Sequence, residues 1–164
     1  MRQIGILSDT HGTFDESLEK FFEPCDELWH AGDIGNLEIA HKMEKFKLLK
    51  AVSGNIDDYK VRSIYKPLLR FNCEDVDVMI THIGGYPGRW EPEIKKIFEL
   101  NAPKLFICGH SHICKVIFDK QYNMLHINPG AAGCSGFHAV RTAIRLKIDN
   151  KQIKDVEVWE KKRN

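Results

Sequence analysis

The sequence predicts an α/β fold in which two packed β-sheets are flanked by helices. Two observations support this prediction. Strand and helix patterns alternate in the first half of the chain, whereas strand patterns dominate the second half. A chain of 164 residues is also long enough to bury a core without staples. Because no repeat, low-complexity segment or linker divides it, we expect one domain over residues 1–164.

The first half alternates short apolar runs with amphipathic stretches. Residues 3–8 form a nearly continuous apolar run, which predicts a strand buried on both faces. In residues 36–46, apolar side chains recur at helical spacing. They follow Asn36, and asparagine is favoured as a helix N-cap. The remaining elements expected here are strands at 27–31 and 48–53 and a short helix at 15–22.

The second half is richer in strand patterns. Residues 68–73 and 76–82 predict two strands joined by a tight turn at Glu74 and Asp75. A helix is expected at 91–100, because proline is tolerated in a first helical turn. Further strands are expected at 104–108, 115–119, 123–128, 139–148 and 153–159, and the basic end 161–163 is interpreted as a frayed tail.

Charge and composition narrow the functional class. The formal net charge of +1 provides no strong field to gather a polyanion, so we expect neither a membrane nor a long nucleic acid as partner. The N-terminal apolar stretch covers only Ile4–Leu7, and no apolar run approaches ~20 residues. Five scattered cysteines without a CxxC pair fit reduced thiols better than disulfides. We therefore expect a cytoplasmic protein.

Five clusters of acids, histidines and glycines each follow a predicted strand. In open α/β sheets, ligands bind at the carboxyl ends of the strands, so five loops can converge on one site. Each cluster alone is weak evidence, because Gly and Asn are also frequent in turns. The clusters are Asp9-Thr10-His11-Gly12, Gly32-Asp33, Gly54-Asn55-Ile56-Asp57, His82-Ile83-Gly84-Gly85 and Gly109-His110-Ser111-His112.

The residue types in these clusters favour transition metals. Mixed oxygen and nitrogen ligands suit Mn, Fe, Co, Ni or Zn better than Ca or Mg. Two metal ions ~4 Å apart need a bridging carboxylate and clamp the attacking and leaving oxygens of a phosphoryl displacement. With Asp9 and Asp33 as the charged ligands, two divalent ions leave a net charge of about +2, which attracts a phosphate and lowers the pKa of a bound water.

The motifs DTHG, GD, GN, TH and GHSH, in this order, resemble the calcineurin-like metallophosphoesterase superfamily. The short chain and the Asn128-Pro129-Gly130 turn are similar to its small prokaryotic, YfcE-like phosphodiesterase branch. The resemblance covers residues 4 to about 131. It implies a four-layer α/β/β/α sandwich and hydrolysis of phosphodiesters, or alternatively monoesters, by a hydroxide that bridges two metal ions and attacks phosphorus in line.

The resemblance also implies a role for each ligand position. Manganese is the expected metal, with Ni, Fe, Co and Zn as alternatives, and Asp33, Asn55 and His82 are expected to take part in catalysis. Asp9, His11 and His112 would hold the first metal ion, Asn55, His82 and His110 the second, and Asp33 would bridge both.

One position departs from the pattern of many members. These members carry a histidine directly after the loop asparagine, where it assists the leaving group, but this chain has Ile56. The small branch also commonly lacks that histidine. General-acid assistance is typically worth a factor of ~100 to 10,000, so we expect poor leaving groups to react slowly.

Two further segments are candidates for the substrate pocket. In the loop 84–90 we expect Arg89 to reach a phosphate and Tyr86 or Trp90 to stack on a base, with a plain surface loop as the alternative. The segment Ser135–His138 and Arg141 can also approach the site, but the sequence does not place them.

Other polar residues have a structural interpretation beside the functional one. Asp57 either supports the Asn55 loop or is a solvated loop acid. Cys108 and Cys114 flank the GHSH motif, yet a cysteine ending an apolar strand usually behaves as a small hydrophobe. The histidines expected to be structural are His30, His41 and His126.

Two functions compete at this point. The first is an enzyme that hydrolyses a small phosphate ester in an open, shallow site, because no insertion builds a lid. The second is a non-catalytic interaction scaffold, the role that the same fold has in the retromer complex. A scaffold has no chemical reason to keep both the DxH and the GHxH motif. The sequence fixes neither the substrate nor the oligomeric state, and a homo-oligomer is compatible with it.

Overall fold

The computed structural model describes residues 1–163, so residue 164 of the expected domain lies outside the described residues. Two five-stranded mixed sheets form the centre of the molecule. The first sheet has the order β12-β11-β1-β2-β3, and its strands are β1 (Arg2–Leu7), β2 (Glu27–His30), β3 (Leu48–Ala51), β11 (Val140–Asp149) and β12 (Gln152–Lys162). The second has the order β4-β5-β8-β10-β9, and its strands are β4 (Leu68–Cys73), β5 (Val76–Thr81), β8 (Leu105–Ile107), β9 (Cys114–Asp119) and β10 (Met124–Pro129).

Helices cover the outer faces of both sheets. The remaining elements are a two-stranded hairpin, β6 (Gly85–Tyr86) and β7 (Arg89–Trp90), and the helices α1 (Glu16–Phe22), α2 (Leu37–Phe46), α3 (Tyr59–Ile64) and α4 (Pro92–Asn101). Leu18, Met43 and Val61 place the first three helices against the first sheet. Phe98 places α4 against Phe106 of the second sheet.

The apolar pattern of the strands explains the layers. In β1, Ile4 and Ile6 lie in the cluster between the two sheets, whereas Leu7 lies in the cluster under the helices. From the second sheet, Ile80 and Ile107 enter the same central cluster. A strand buried on both faces needs apolar residues at nearly every position, as the sequence of β1 shows. The predicted four-layer α/β/β/α sandwich is confirmed.

Parallel strands direct the polar clusters to one end of the fold. In the first sheet, β1, β2 and β3 run parallel. In the second sheet, β5, β8 and β10 run parallel. The five clusters identified in the sequence therefore follow the carboxyl ends of β1, β2, β3, β5 and β8.

The predicted elements have their expected type, and most of their ends agree within two residues. Two elements escaped prediction: α3 and the hairpin formed by β6 and β7. Helix α3 has six residues, too few for a periodic pattern, although Asp58 caps it by accepting hydrogen bonds from the amides of Lys60 and Val61.

The interpretation of residues 161–163 as a frayed tail is wrong. Lys161 pairs with Arg141 in the register of β11 and β12. The amide of Arg163 then donates to the carbonyl of Ala139 at 3.1 Å. Backbone pairing with β11 thus holds this end of the chain. Among residues 1–163, no helix combines the length and the apolar character needed to cross a membrane.

Candidate metal centre

The loops after the strands hold their polar residues in an uncommon backbone conformation. A positive φ is rare outside glycine, costs about 1–3 kcal/mol, and occurs preferentially at functional sites. Five of the predicted ligands adopt it: Asp9 (φ 52°), His11 (45°), Asp33 (57°), His110 (70°) and His112 (59°).

Backbone hydrogen bonds join the loops to one another. The amide of Asp9 donates to Gly32 O at 3.0 Å, and the amide of Gly109 donates to His82 O at 2.9 Å. The loops also approach so closely that a side chain at two glycines has no room. A Cβ at Gly54 would lie 2.0 Å from Asp33 Oδ1. A Cβ at Gly109 would lie 1.9 Å from Ser8 Oγ. The glycines of the GN and GH motifs are therefore needed for packing.

In each buried aspartate, one carboxylate oxygen accepts hydrogen bonds from neighbouring groups of the protein. Asp9 Oδ2 accepts from Ser8 Oγ at 2.6 Å and from the His110 amide at 3.0 Å. Asp33 Oδ1 accepts from the Ile56 amide at 3.0 Å. This leaves Asp9 Oδ1 and Asp33 Oδ2 facing the histidines.

Three imidazole Nε2 atoms surround these two free oxygens. His112 Nε2 lies 3.1 Å from Asp9 Oδ1. His82 Nε2 lies 3.2 Å from Asp33 Oδ2 and 3.9 Å from Asp9 Oδ1. His11 Nε2 lies between both acids, at 3.7 Å from Asp9 Oδ1 and 3.8 Å from Asp33 Oδ2. Two overlapping groups result, each with ligand atoms within 4.8 Å of one another: Asp9, His11 and His112, and Asp9, Asp33 and His82.

Two of these nitrogens lack a partner in the protein. His11 Nε2 and His82 Nε2 are buried and form no hydrogen bond with the described residues. His82 Nδ1 lies 2.7 Å from the carbonyl oxygen of Ala31. A carbonyl only accepts, so Nδ1 carries the proton and Nε2 presents its lone pair to the aspartates. Buried polar atoms without a partner are uncommon. The donor set therefore fits divalent transition metals.

The electrostatics keep both aspartates ionised. Burial raises the pKa of Asp9, but the neighbouring His11 and His112 more than offset this effect, and the pKa falls well below its usual range. Burial also raises the pKa of Asp33, but the adjacent His82 outweighs this effect, and the pKa of Asp33 is lowered. Two carboxylates stabilised as anions at the bottom of one site favour a cation there.

Asn55 and His110 lie at the rim of this centre. Both are exposed, and both line a cavity of ≈ 440 Å³ together with His11, Asp33 and His112. The rings of His110 and His82 are 5.3 Å apart. The structure thus brings all seven predicted ligands to one place, with five of them in the two tight groups.

Asp57 is buried, not solvated, and it connects two of the loops. It is 3% exposed. Its carboxylate accepts from the amides of Ile34, Gly35 and Gly54. Since these amides belong to the Asp33 loop and the Asn55 loop, Asp57 sets the distance between two predicted ligands. Its interpretation as a solvated loop acid is wrong.

A buried histidine connects two other loops. His30 Nδ1 accepts from the Gly32 amide at 3.1 Å, so its Nε2 carries the proton and donates to Thr10 Oγ1 at 2.9 Å. Thr10 Oγ1 in turn donates to the Ile34 carbonyl. Burial lowers the pKa of His30 to about 4. His30 therefore stays neutral at neutral pH, which fits a structural role.

Sequence reasoning could not place the segment 135–138, and the structure brings one of its residues to the site. His138 Nδ1 lies 3.1 Å from His112 Nδ1. His138 Nε2 lies 2.9 Å from the Gly133 carbonyl, so Nε2 donates and Nδ1 accepts from His112. Arg141 instead is buried and donates to Ala132 O and to Asp15.

The loop 84–90 is the hairpin of β6 and β7, and its aromatic residues have different roles. Trp90 Nε1 donates to Asp119 at 3.2 Å, and its ring packs edge-on against Phe98 and Phe106. The suggestion that Trp90 stacks on a base is therefore wrong. Tyr86 is 44% exposed and, with Arg89, lines a second cavity of ≈ 640 Å³ that also reaches His110.

The cysteines beside the GHSH motif do not join the candidate ligands. Cys108 is buried, and burial raises the pKa of its thiol to about 12. Its Sγ points to the Gly85 carbonyl at 3.6 Å. Burial also raises the pKa of the Cys114 thiol. Both residues are neutral thiols, as expected for small apolar side chains.

Comparison with known families identifies the class of protein. The model of the calcineurin-like phosphoesterase superfamily domain matches residues 1–151. The chain therefore belongs to the calcineurin-like phosphoesterase superfamily, whose members use divalent metals. Among curated proteins, none matches the sequence.

Solved structures share the fold over nearly the whole chain. An archaeal phosphodiesterase is 22% identical, covers 96% of this chain and 99% of its own, and has a TM-score of 0.74. A predicted phosphoesterase from Streptococcus pneumoniae is 20% identical over 96% of this chain and 88% of its own, with a TM-score of 0.68. Vps29 from Entamoeba histolytica, in complex with Zn²⁺, is 14% identical over 99% of both chains, with a TM-score of 0.74. At these identities the similarity establishes the fold alone.

Proposed function

We propose that this protein is a dinuclear metal-dependent phosphodiesterase of small phosphate esters, with phosphomonoesters as secondary substrates. One observation carries the proposal. In both aspartates one carboxylate oxygen is bound to the protein, and the other, Asp9 Oδ1 or Asp33 Oδ2, faces three histidine Nε2 atoms. Two of these nitrogens, those of His11 and His82, form no hydrogen bond with the described residues. The ligand assignment is part of the proposal. Asp9, His11 and His112 would hold one ion, Asn55, His82 and His110 would hold the other, and Asp33 would contribute to both.

Different side chains of the site have different roles in the proposed hydrolysis. When bound, two divalent ions supply charge neutralisation at the phosphate and activation of a water. The buried aspartates hold the cationic charge in place, and His82 is kept in the required tautomer by Ala31. At the rim, Asn55 and His110 are exposed, so they lie on the side from which a substrate would approach. Attack of water on phosphorus breaks one P–O ester bond, and the leaving oxygen takes its proton from solvent, because Ile56 carries none.

Manganese is the proposed metal, with Ni, Fe, Co and Zn as alternatives that the same ligands accept. The five cysteines form no disulfide in residues 1–163, which supports the proposed cytoplasmic location.

The first test measures hydrolysis of bis-p-nitrophenyl phosphate and p-nitrophenyl phosphate by metal-stripped protein, with and without Mn²⁺. We expect Mn²⁺-dependent cleavage of the diester. Asp33→Asn should lower it at least ~100-fold, because the variant loses the bridging charge. Asp75→Asn is the matched control, since Asp75 is an exposed acid in the turn before β5, at the other end of the sheet.

The alternative is a non-catalytic scaffold of the same fold. It is less well supported, because the chain keeps both the DxH and the GHxH motif, which a scaffold has no chemical reason to retain. Absence of turnover with each of Mn²⁺, Ni²⁺, Co²⁺ and Zn²⁺ would refute the enzyme and leave the scaffold.

A further inference from the structure

The second cavity, of ≈ 640 Å³, lies beside the candidate metal centre, and the proposed reaction does not use it. His110 and Ser111 line its inner wall, so it continues directly from the candidate ligands. The hairpin of β6 and β7 contributes Tyr86 and Arg89 to the lining of the cavity, and β9 contributes Lys115.

The hairpin places Tyr86 and Arg89 side by side. The two residues are direct register partners in the antiparallel pair, so their side chains lie on the same face. Lys115 reaches this face from the second sheet, with Nζ 5.1 Å from the centre of the Tyr86 ring. One aromatic ring is thus flanked by two cationic side chains.

The strand that carries Lys115 is connected to the metal-site loop. Lys115 is the register partner of Asn128, so both side chains lie on one face of the sheet. Asn128 Nδ2 donates to the Gly109 carbonyl at 2.9 Å and to Ser111 Oγ at 3.0 Å. The position of Lys115 is therefore fixed relative to the loop that carries His110 and His112.

The two cations of this wall have no carboxylate partner. Neither Arg89 nor Lys115 forms a salt bridge with the described residues, whereas Arg70, Arg141 and Arg145 are each paired with an acid. Of the described residues 1–163, Glu91 is the one acidic residue that lines this cavity. Two unpaired cations in a concave wall concentrate anions, and a guanidinium is suited to phosphate.

We propose that this cavity binds a second phosphate of the substrate. The substrate class is a phosphodiester in which one ester arm carries its own phosphate, bound by Arg89 and Lys115, while Tyr86 contacts the group that joins the two phosphates. This inference rests on the proposed phosphodiesterase activity. The reaction is unchanged: water adds to the diester phosphorus, one of its P–O bonds breaks, and the second phosphate remains intact.

The test compares two chromogenic esters with Mn²⁺-loaded protein. One is the p-nitrophenyl ester of thymidine 5′-phosphate, and the other is the 5′-p-nitrophenyl ester of thymidine 3′,5′-bisphosphate. They differ by the second phosphate alone. We expect kcat/KM to be about tenfold higher for the bisphosphate ester, because Arg89 and Lys115 form charged hydrogen bonds with its second phosphate. Arg89→Gln and Lys115→Gln should each reduce this ratio severalfold.

Lys120→Gln is the matched control. It removes the same charge from the turn after β9, outside the cavity wall, and should leave the ratio unchanged. A ratio near one in the wild type would overturn the inference. So would a high ratio that neither Arg89→Gln nor Lys115→Gln lowers, because the preference would then come from overall charge.

Calorimetric binding of thymidine 3′,5′-bisphosphate and thymidine 5′-monophosphate separates this inference from the proposed function. We expect the bisphosphate to bind about tenfold more tightly, and Arg89→Gln to remove most of that difference. If neither ester is cleaved, the proposed function fails, and the calorimetric comparison alone decides whether the cavity binds the second phosphate. Cleavage of both esters with equal affinity for both nucleotides refutes the inference and leaves the activity standing.

Discussion

His138 sets the orientation of a predicted ligand through its hydrogen bonds. Its Nε2 donates to Gly133 O, so its Nδ1 accepts from His112 Nδ1. Burial lowers the pKa of His138, which keeps the ring neutral and able to accept. His112 therefore carries a proton on Nδ1, and its Nε2 faces Asp9 Oδ1, 3.1 Å away. A cation between these two atoms stabilises the arrangement.

We predict that His138→Ala weakens metal binding about tenfold, because partners that orient a metal-bound histidine contribute 10–100-fold in affinity. His138→Asn should restore part of the loss, since Asn Oδ1 can accept in place of Nδ1. Competition of the protein with a chromogenic chelator for Zn²⁺ measures the affinity. Phe137→Ala serves as control, because Phe137 is a fully exposed neighbour on the same loop. Equal affinities of wild type and His138→Ala would show that His112 needs no such partner.

The hairpin of β6 and β7 is an element that depends on one anchor. Its strands have two residues each, too few for a stable hairpin on their own. Trp90 holds it in place through the hydrogen bond to Asp119 and edge-on contacts with Phe98 and Phe106. The position of Arg89 over the second cavity follows from this anchor.

Trp90→Ala is expected to destabilise the protein by about 2 kcal/mol, below the ~3–5 kcal/mol for loss of a fully buried large aromatic side chain, because Trp90 is only half-buried. Urea unfolding measures the change. Tyr86→Ala, on the same hairpin, should change the free energy of unfolding by less than about 0.5 kcal/mol, since its ring is 44% exposed. Equal losses in the two variants would mean that Trp90 is not the anchor.

At the scale of the whole molecule, two buried histidines make stability depend on pH. Burial lowers the pKa of His30 and of His126 to about 4 in each case. In the unfolded chain both take up protons below about pH 6.5. Between pH 6.5 and pH 4 the unfolded state therefore binds more protons, and the free energy of unfolding falls as the pH falls. His11 and His82 have a raised pKa and titrate above this window.

We predict that metal-stripped protein loses stability between pH 6.5 and pH 4.5, by about 2 kcal/mol for each buried histidine. The midpoint of urea unfolding at the two pH values measures this loss. His126→Phe should reduce the difference, because phenylalanine does not titrate and can occupy the place beside Trp90 and Phe106. His41→Ala, in an exposed position of α2, should not alter it. A difference that His126→Phe leaves unchanged would exclude His126 as a cause.

The apolar periodicity and the order of the polar motifs predicted the layers and the candidate ligands. These features follow from local rules: a strand buried on both faces is apolar throughout, and a short loop after a strand points its side chains at the sheet end. The sequence of β1 and the DTHG motif were therefore enough to predict Asp9 and His11 as candidate ligands. The short helix α3 and the β6–β7 hairpin carry no period long enough to be recognised.

Contacts between residues far apart in the chain decided the rest. Asp57 is a buried connector because amides of the loop after β2 lie opposite it. His138 reaches His112 across 26 positions of sequence. Lys115 and Arg89 share a cavity because a sheet register and a hairpin anchored by Trp90 bring them together. The sequence by itself determined which residues are the candidate metal ligands. Only the tertiary structure decided which residues contact those candidate ligands and which cations line the second cavity, because such pairings depend on register and burial and not on local pattern.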